Sequence, residues 1–196
     1  MMSDLRPTAP STQPPRLSPR ARPRPPAPST HACLRLVSRS AEDTVEIGRR
    51  LGRMLRPGDV VVLSGPLGAG KTTLAQGIAR GMGVAEHVTS PTFTLVNEYR
   101  PARPGAHPPL YHIDLYRTSG AAEALDFGLD EYLGGQGVAV IEWAERAPEA
   151  LPAEYLLVRL EMAGEGRIIA LCSSSARYVG RIRTLGKVLG AYAAGH

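Results

Sequence analysis

The sequence predicts an α/β domain in which helices flank a mostly parallel sheet that is extended by an antiparallel hairpin. Strand-like and helix-like segments alternate along the first part of the domain. Two of the strand-like segments, "DVVVLSG" and "VAVIEW", are apolar throughout, which is typical of strands covered on both faces. Two later segments, "YLLVRLEM" and "RIIALCS", flank a turn with Gly164 and Gly166, which indicates a hairpin.

The first predicted elements are a strand and a helix. The segment "CLRLVS" alternates between apolar and polar residues, as a half-buried strand does. In "SAEDTVEIGRRLGRML", Ser40 and Asp43 have the spacing of a helix N-cap and an acid three residues later. Apolar residues four positions apart then share one helical face, and Pro57 with Gly58 is expected to stop the helix.

The remaining elements follow the same reasoning. "TTLAQGIARGMG" predicts a helix that ends at Gly81 or Gly83, and "TFTLVNEY" and "LYHID" predict two strands. "AAEALDFGLDEYL" is expected to be helical in part, and "VAVIEW" to be a second buried strand. From Ala176 onward the pattern predicts an amphipathic, basic helix or a frayed tail.

The first 31 residues differ in composition from the rest of the chain. Nine of the 18 prolines precede His31, together with five arginines and a single acid, Asp4. Such a segment cannot bury enough apolar surface to fold. We therefore expect a disordered Pro/Arg-rich arm at 1–31, a globular domain at 32–175 and a C-terminal amphipathic helix or tail at 176–196. Most of the net charge of +5 lies on the arm, which is expected to be a solvated tail, with contact to RNA as the alternative.

Three further features of the composition are informative, two about the cellular compartment and one about the use of lysine. The sequence has no apolar run of about 18 residues and no signal-peptide pattern, so we expect a cytoplasmic protein that does not contact membranes. Its two cysteines, Cys33 and Cys172, are expected to be unpaired, buried thiols in a reducing compartment. Only two of the 23 basic residues are lysines, Lys71 and Lys187, so a position that keeps lysine is expected to need a compact ammonium group.

The segment "GPLGAGKT" matches the phosphate-binding pattern G-x-x-x-x-G-K-[ST], with a buried strand before it and a helix after it. Glycines allow the backbone N–H groups to turn toward phosphate oxygens, and the helix N-terminus adds its positive dipole end. Lys71 is expected to reach the terminal phosphates, and Thr72 to ligate Mg²⁺. The predicted nucleotide-binding residues are Gly65, Pro66, Leu67, Gly68, Ala69, Gly70, Lys71, Thr72 and Thr73.

The expected nucleotide is ATP, because the only lysine after this loop, in "LGKVLG", does not fit a guanine-reading Asn-Lys-x-Asp motif. Two acids, Asp114 after "LYHI" and Glu142 after "VAVI", end predicted strands, at the edge where α/β sheets bind ligands. One is expected to bind Mg²⁺ and the other to orient the attacking water, and the division of roles stays open at this stage. Between helix and acids lies "SPTFT", where Thr92 or Thr94 could supply a hydroxyl to a γ-phosphate.

Four motifs occur together in this order: "GPLGAGKTTL", "SPTFTLVNEY", "HIDLYR" and "VIEWAER". Jointly they resemble the TsaE family, formerly called YjeE, small P-loop ATPases of bacterial tRNA threonylcarbamoyladenosine (t6A) synthesis. The resemblance covers roughly residues 33–172. The proline arm has no counterpart in it, and the C-terminal helix corresponds only loosely. It implies a P-loop NTPase fold for the domain at 32–175.

The resemblance also implies roles for individual residues. Thr92 is the threonine of the Ser-Pro-Thr motif in a switch-I-like loop. Asp114 is the switch-II or Walker-B-like acid, and Glu142 with Trp143 forms a second acidic site. The expected catalytic residues are Lys71, Asp114 and Glu142, and the expected Mg²⁺ ligands are Thr72, Asp114 and Glu142.

The implied function is ATP binding and hydrolysis in support of t6A modification at adenosine 37 of tRNA. The implied partners are the TsaD and TsaB proteins, with tRNA reached indirectly through their complex, and the chain is not itself the threonylcarbamoyl transferase. The alternative is a small P-loop kinase acting on a metabolite. A third reading, a basic RNA-binding module, explains neither the phosphate loop nor the two acids.

Overall fold

The computed structural model describes residues 32–194, so the predicted arm at 1–31 lies outside the described residues. Seven strands form one sheet: β1 (Ala32–Ser38), β2 (Val60–Ser64), β3 (Val96–Tyr99), β4 (Leu110–Asp114), β5 (Val138–Glu142), β6 (Leu156–Ala163) and β7 (Gly166–Ser173). Their order is β1-β7-β6-β2-β5-β4-β3. β2 is parallel to β5 and β6, and β4 is parallel to β5. The other three pairs, β3–β4, β6–β7 and β1–β7, are antiparallel. The predicted mostly parallel sheet with an antiparallel hairpin, β6–β7, is confirmed.

Five helices flank this sheet: α1 (Ala41–Gly52), α2 (Lys71–Gly81), α3 (Ala121–Asp126), α4 (Leu129–Tyr132) and α5 (Ala176–Val188). Apolar side chains of α1, α2 and α5 pack on one face of the sheet, and those of α3 and α4 pack on the other. The described helices include none that is both long and apolar enough to cross a membrane.

The boundaries of α1 follow from its cap and its packing. Ser40 is the N-cap as predicted, and its hydroxyl accepts a hydrogen bond from the Asp43 N–H at 3.0 Å. The helix ends at Gly52, before the predicted stop at Pro57. At Gly52 the helix passes so close to α2 that a Cβ would lie 2.2 Å from the carbonyl oxygen of Ile78, so only glycine fits this contact.

The segment "TFTLVNEY" is a strand only over Val96–Tyr99. The residues before it form a turn in which the Leu95 N–H donates to the Pro91 carbonyl at 2.8 Å and Leu95 has a φ of 64°. The turn, rather than a strand, therefore carries the Ser-Pro-Thr segment toward the end of β4.

Helix α5 is anchored at the amino end of β2. Asp59 is fully buried there and forms ion pairs with Arg177, at 2.8 Å, and with Arg181. The hydroxyl of Tyr178 accepts a hydrogen bond from the Val60 N–H at 3.0 Å. Burial raises the pKa of Tyr178 to about 12, so this hydroxyl keeps its proton.

The expectation of two unpaired, buried thiols is wrong. The structure joins Cys33 and Cys172 in a disulfide, and Cys33 lies on the exposed surface of β1. The cause is strand pairing: β1 and β7 place the two residues directly opposite each other, with their Cα atoms 4.2 Å apart. A separation of 139 residues along the chain conceals this proximity from the sequence.

Candidate nucleotide-binding site

The predicted phosphate-binding loop connects β2 to α2 and depends on glycine at three points. Gly68 and Gly70 have φ values of 78° and 98°, in the left-handed region that glycine tolerates. Gly65 adds a steric reason, because a Cβ there would lie 2.4 Å from the carbonyl oxygen of Leu160. The loop therefore has the backbone conformation in which consecutive N–H groups can surround an anion next to a helix N-terminus.

Lys71 is the first residue of α2, and only 5% of its surface is exposed. Its ammonium group donates to the carbonyls of Gly65, at 2.7 Å, and Pro66, at 3.0 Å. It also lies over the indole ring of Trp143, 4.2 Å from the ring centroid, as a cation–π pair. The positive charge is thus held inside the loop, next to where the loop would receive phosphate.

Glu142, at the carboxyl end of β5, lies directly beside the loop. Its Oε1 accepts hydrogen bonds from the hydroxyl of Thr72 at 3.1 Å and from Nε2 of His112 at 2.9 Å. Because β4 and β5 pair in parallel with Asp114 opposite Glu142, the two predicted acids end neighbouring strands at the same level. The sheet register therefore places the acids together next to Thr72.

Asp114 connects the end of β4 with the Ser-Pro-Thr turn. Its Oδ2 accepts hydrogen bonds from Ser90 at 2.9 Å and Thr92 at 2.8 Å, and its Oδ1 accepts from the Tyr116 N–H at 2.9 Å. The hydroxyl of Thr94 points elsewhere and donates to Oδ1 of Asn97 at 2.8 Å. Of the two threonines that the sequence left open, Thr92 is thus the one beside the acid.

Both acids are buried without an arginine or lysine partner among the described residues. Asp114 and Glu142 are 2% and 3% exposed, yet within residues 32–194 neither has an arginine or lysine within ion-pair distance. A buried carboxylate without a counter-charge is costly. A cation bound between these acids and the Thr72 hydroxyl would remove that cost.

The donor set fits Mg²⁺, which takes oxygen ligands and is commonly bound through one or two carboxylates together with substrate phosphates. Thr72, Asp114 and Glu142 supply a hydroxyl and two carboxylates. Within the described part of the chain, no group of three or more His, Cys, Asp or Glu side chains is arranged to hold a metal by itself. The site is therefore of the kind that a nucleotide completes, rather than a cage made only of protein ligands.

An open cleft of about 370 Å³ brings these residues together. It is lined by Leu67, Gly68, Gly70, Lys71, Thr72, Thr73, Ser90, Thr92, Asp114, Glu142, Trp143 and Arg167. Three predicted nucleotide-binding residues do not line it: Gly65, Pro66 and Ala69. Gly65 and Pro66 instead hold Lys71 through their carbonyls, and the side chain of Ala69 is buried in the core.

Sequence reasoning missed three residues of this site. Arg167, at the start of β7, donates from Nε to the carbonyl of Ala69 at 2.8 Å and so braces the phosphate-binding loop. Ser90 binds Asp114, and His112 binds Glu142. The hydroxyl of Ser90 stood within the Ser-Pro-Thr motif, and His112 lies two residues before Asp114 on the same strand face, so both had a local signal. Arg167 had none, because only the hairpin brings it to the loop.

The rim of the cleft is exposed and partly apolar. Leu67 and Phe93 are 87% and 83% exposed, and Tyr116 is 47% exposed. Tyr116 packs against Trp143 with ring centroids 5.0 Å apart, and the Arg117 guanidinium lies 4.3 Å from the centroid of Phe93. The aromatic residue and the guanidinium that follow Asp114 in "HIDLYR" therefore belong to the rim.

Backbone strain is also concentrated here. In residues 32–194, only two non-glycine residues have a positive φ, Leu95 at 64° and Trp143 at 59°. Leu95 follows the Ser-Pro-Thr turn, and Trp143 directly follows Glu142. Such conformations are costly and are typically retained at functional sites.

Comparison with known proteins places this geometry in a family. The family model for TsaE, described as threonylcarbamoyl adenosine biosynthesis protein TsaE, matches residues 38–169. The tRNA threonylcarbamoyladenosine biosynthesis protein TsaE of Treponema pallidum is 44% identical over 133 residues, covering 68% of this chain and 95% of that protein. The protein of the same name from Bacillus subtilis is 44% identical over 138 residues, covering 70% and 84%.

A solved structure agrees with these sequence relationships. The crystal structure of Bacillus subtilis YdiB superimposes with a TM-score of 0.65 at 35% identity, and the match covers 82% of this chain and 95% of YdiB. The residues that the family model matches, 38–169, include the P-loop, the Ser-Pro-Thr turn and both acidic strand ends. This chain belongs to the TsaE family.

Proposed function

We propose that this protein binds and hydrolyses ATP in support of t6A modification of tRNA, as a cytoplasmic partner of the TsaD and TsaB proteins. The observation that supports the proposal is a pair of buried acids, Asp114 and Glu142, beside a predicted phosphate-binding loop, with no arginine or lysine of residues 32–194 within ion-pair distance. A Mg²⁺–nucleotide complex supplies the positive charge and the phosphates that these residues and the loop together require.

In this proposal, different residues of the cleft have different roles in hydrolysis. The loop N–H groups and the α2 N-terminus bind the phosphates. Lys71 exchanges its bonds to the Gly65 and Pro66 carbonyls for bonds to phosphate oxygens, which are stronger acceptors because they are charged. Thr72 and the two acids are the proposed ligands of Mg²⁺, which would neutralise charge on the phosphate oxygens.

The Ser-Pro-Thr turn is the proposed sensor of the γ-phosphate. The hydroxyls of Ser90 and Thr92 both donate to Oδ2 of Asp114. A γ-phosphate and its metal compete for the same hydroxyls and the same carboxylate, so their arrival repositions this turn. ATP and ADP thereby present different surfaces to a partner.

The rim supports a protein partner at the mouth of the cleft. Leu67 and Phe93 expose almost their whole side chains, and Tyr116 and Arg117 stand next to them. Apolar and aromatic side chains with a neighbouring arginine are the composition of interface centres. TsaD and TsaB are the proposed occupants, with tRNA reached through them and no transfer of the threonylcarbamoyl group by this chain.

The proposal is tested by measuring ATP hydrolysis with and without TsaD and TsaB from the same organism. Lys71→Ala is expected to abolish hydrolysis and to weaken ATP binding strongly while leaving the fold intact, because the proposed role of the Lys71 ammonium is to stabilise negative charge on the phosphates rather than to pack in the core. The matched control is Lys187→Ala, which removes the other lysine from the exposed side of α5 and should leave hydrolysis unchanged. Wild-type activity in the Lys71→Ala variant would remove the P-loop from the proposal.

The same assay separates the proposal from a metabolite kinase. Hydrolysis by the purified protein, or by the protein with TsaD and TsaB, in the absence of any small-molecule acceptor supports an ATPase. Phosphate transfer that requires an added acceptor would favour the kinase instead.

A further inference from the structure

His112 occupies a position that packing alone does not explain. It lies in the middle of β4, is fully buried, and follows Leu110 on the sheet face that carries α2. Its Nδ1 is the only buried side-chain nitrogen or oxygen in residues 32–194 that has no hydrogen-bond partner. An apolar residue would fill this position without that cost. We therefore expect the imidazole to make an interaction that compensates for burying Nδ1 without a hydrogen-bond partner.

The single hydrogen bond of this side chain shows what the use is. Nε2 of His112 lies 2.9 Å from Oε1 of Glu142. A hydrogen on Nδ1 would be a buried donor without an acceptor, whereas a hydrogen on Nε2 can be donated to the carboxylate. The Nε2–H tautomer is therefore the one that makes the hydrogen bond to Glu142 and leaves no buried donor without an acceptor.

The register of the sheet places the imidazole behind the carboxylate. His112 lies opposite Val140 on β5, two residues before Glu142, and it does not line the cleft. Oε1 of Glu142 is therefore held by His112 from within the sheet and by Thr72 from the loop. Its other oxygen, Oε2, accepts no hydrogen bond from the described residues, although Glu142 lines the cleft.

We propose that His112 is a positioning residue that fixes the Glu142 carboxylate through Oε1 and leaves Oε2 available to the metal or the attacking water. If the Thr72 oxygen ligates the metal, the hydrogen bond from His112 would hold the carboxylate in place whether or not Thr72 keeps its own. The proposal rests on the function proposed above, because it assigns His112 a part in ATP hydrolysis. It predicts an effect on the chemical step rather than on nucleotide affinity.

Two amide substitutions test the hydrogen bond itself. In His112→Gln, the side-chain amide nitrogen reaches as far from Cβ as Nε2 does and can still donate to Glu142. In His112→Asn the same amide reaches only as far as Nδ1, so the donor is lost. We expect His112→Asn to lower kcat by about 10- to 100-fold. ATP binding should stay within about twofold, and His112→Gln should recover most of the loss. Thermal unfolding of both variants measures any shared cost of replacing the ring.

Equal losses in the two variants, or a loss confined to ATP affinity, would overturn the positioning role. Glu142→Gln and wild-type protein, assayed in parallel, separate this failure from failure of the proposed function. If wild-type protein hydrolyses ATP and His112→Asn does so equally well, only the positioning role of His112 is excluded. If neither wild-type protein nor its complex with TsaD and TsaB hydrolyses ATP, both proposals fall together.

A second measurement does not depend on activity. Long-range ¹H–¹⁵N correlation spectra of the ligand-free wild-type protein report which ring nitrogen of each histidine carries the hydrogen. His112, assigned by its absence in the His112→Gln spectrum, is expected to give the Nε2–H pattern. An Nδ1–H pattern would mean that Nε2 cannot donate to Glu142 and would contradict the proposal.

Discussion

Buried carboxylates at the two ends of the central strands differ in the charge of their partners. Asp59, before β2, is neutralised by Arg177 and Arg181. Asp114 and Glu142, at the opposite ends of β4 and β5, are as deeply buried but receive hydrogen bonds only from hydroxyl, backbone and imidazole donors in the described residues. The two ends lie roughly 17 Å apart, the length of a five-residue strand.

The difference gives a criterion for separating an acid that stabilises the fold from an acid that is a candidate to bind a ligand. At Asp59 the protein supplies the carboxylate and its two arginine partners, so the ion pairs form on folding and attach α5 to the sheet. At the other end, no arginine or lysine of the described residues forms an ion pair with either acid, and the proposed Mg²⁺ would supply that counter-charge. Backbone strain differs in the same way, because the two non-glycine residues of 32–194 that have a positive φ lie near Asp114 and Glu142 and not near Asp59.

The largest effect is expected at the uncompensated end. Asp114→Asn and Glu142→Gln should each lower kcat of Mg²⁺-dependent ATP hydrolysis by about 10²- to 10³-fold, because each removes charge that acts in the transition state. Excess ATP should not rescue either variant. Steady-state kinetics with saturating nucleotide measures this, and an unchanged kcat would exclude the substituted residue from the site.

These two substitutions should also leave the free energy of unfolding unchanged or raise it by about 1 kcal/mol, since each removes a buried charge that lacks a counter-charge. Urea unfolding of the ligand-free protein tests this. A loss of stability would show that the acids contribute to folding and would break the contrast with Asp59.

Asp59→Asn should do the reverse. We expect it to lower the free energy of unfolding by about 3 kcal/mol, because Arg177 and Arg181 lose their buried partner. The folded fraction should hydrolyse ATP with unchanged kcat, since Asp59 lies at the far end of the sheet. Urea unfolding and kinetics on the same preparation measure both quantities, and a reduced kcat with normal stability would contradict the assignment of Asp59 to structure.

A smaller effect is expected from Tyr178, which lies at the same structural end. Tyr178→Phe leaves the Val60 N–H without its acceptor and should cost about 1–2 kcal/mol at neutral pH. Burial raises the pKa of Tyr178 from 10.0 to about 12. Below pH 10 the unfolded chain keeps this proton too. Between pH 10 and 12 the unfolded chain loses it while the folded protein retains it, so stability falls as pH rises.

Urea midpoints of wild-type and Tyr178→Phe protein, compared between pH 8 and 11, test this linkage. The wild type should lose stability more steeply with pH than the variant does. Parallel pH profiles for the two proteins would show that Tyr178 does not contribute to alkaline unfolding.

The smallest effect is spectroscopic and reports on the ligand end. Trp143 is the only tryptophan in the chain and contacts both the Lys71 ammonium and the Tyr116 ring. We expect Mg·ATP to change its fluorescence more than Mg·ADP does, because the proposed function has only the γ-phosphate contact the Ser-Pro-Thr turn. Identical spectra of free, ADP-bound and ATP-bound protein, with binding confirmed by calorimetry, would mean that the indole does not respond to the nucleotide.

Much of the fold and the centre of the site could be predicted from the sequence, because both depend on local patterns. Continuous apolar runs identified β2 and β5, and the hairpin was visible as two strand-like segments around Gly164 and Gly166. "GPLGAGKT" needs glycines at fixed positions, so it identifies the phosphate loop without knowledge of the rest of the fold. Asp114 and Glu142 were recognisable because each ends a strand.

Tertiary structure alone decided what meets across the sheet. Parallel pairing of β4 and β5 put Asp114 level with Glu142, and antiparallel pairing of β1 and β7 joined cysteines 139 residues apart. The hairpin carried Arg167 to the loop. The difference between Asp59 and the two candidate site acids was equally invisible in the sequence, which shows the charged residues but not which of them pair. Local patterns specify a residue's element and its place in that element, whereas strand register and helix docking specify its partners, and the partners determine what a buried charge does.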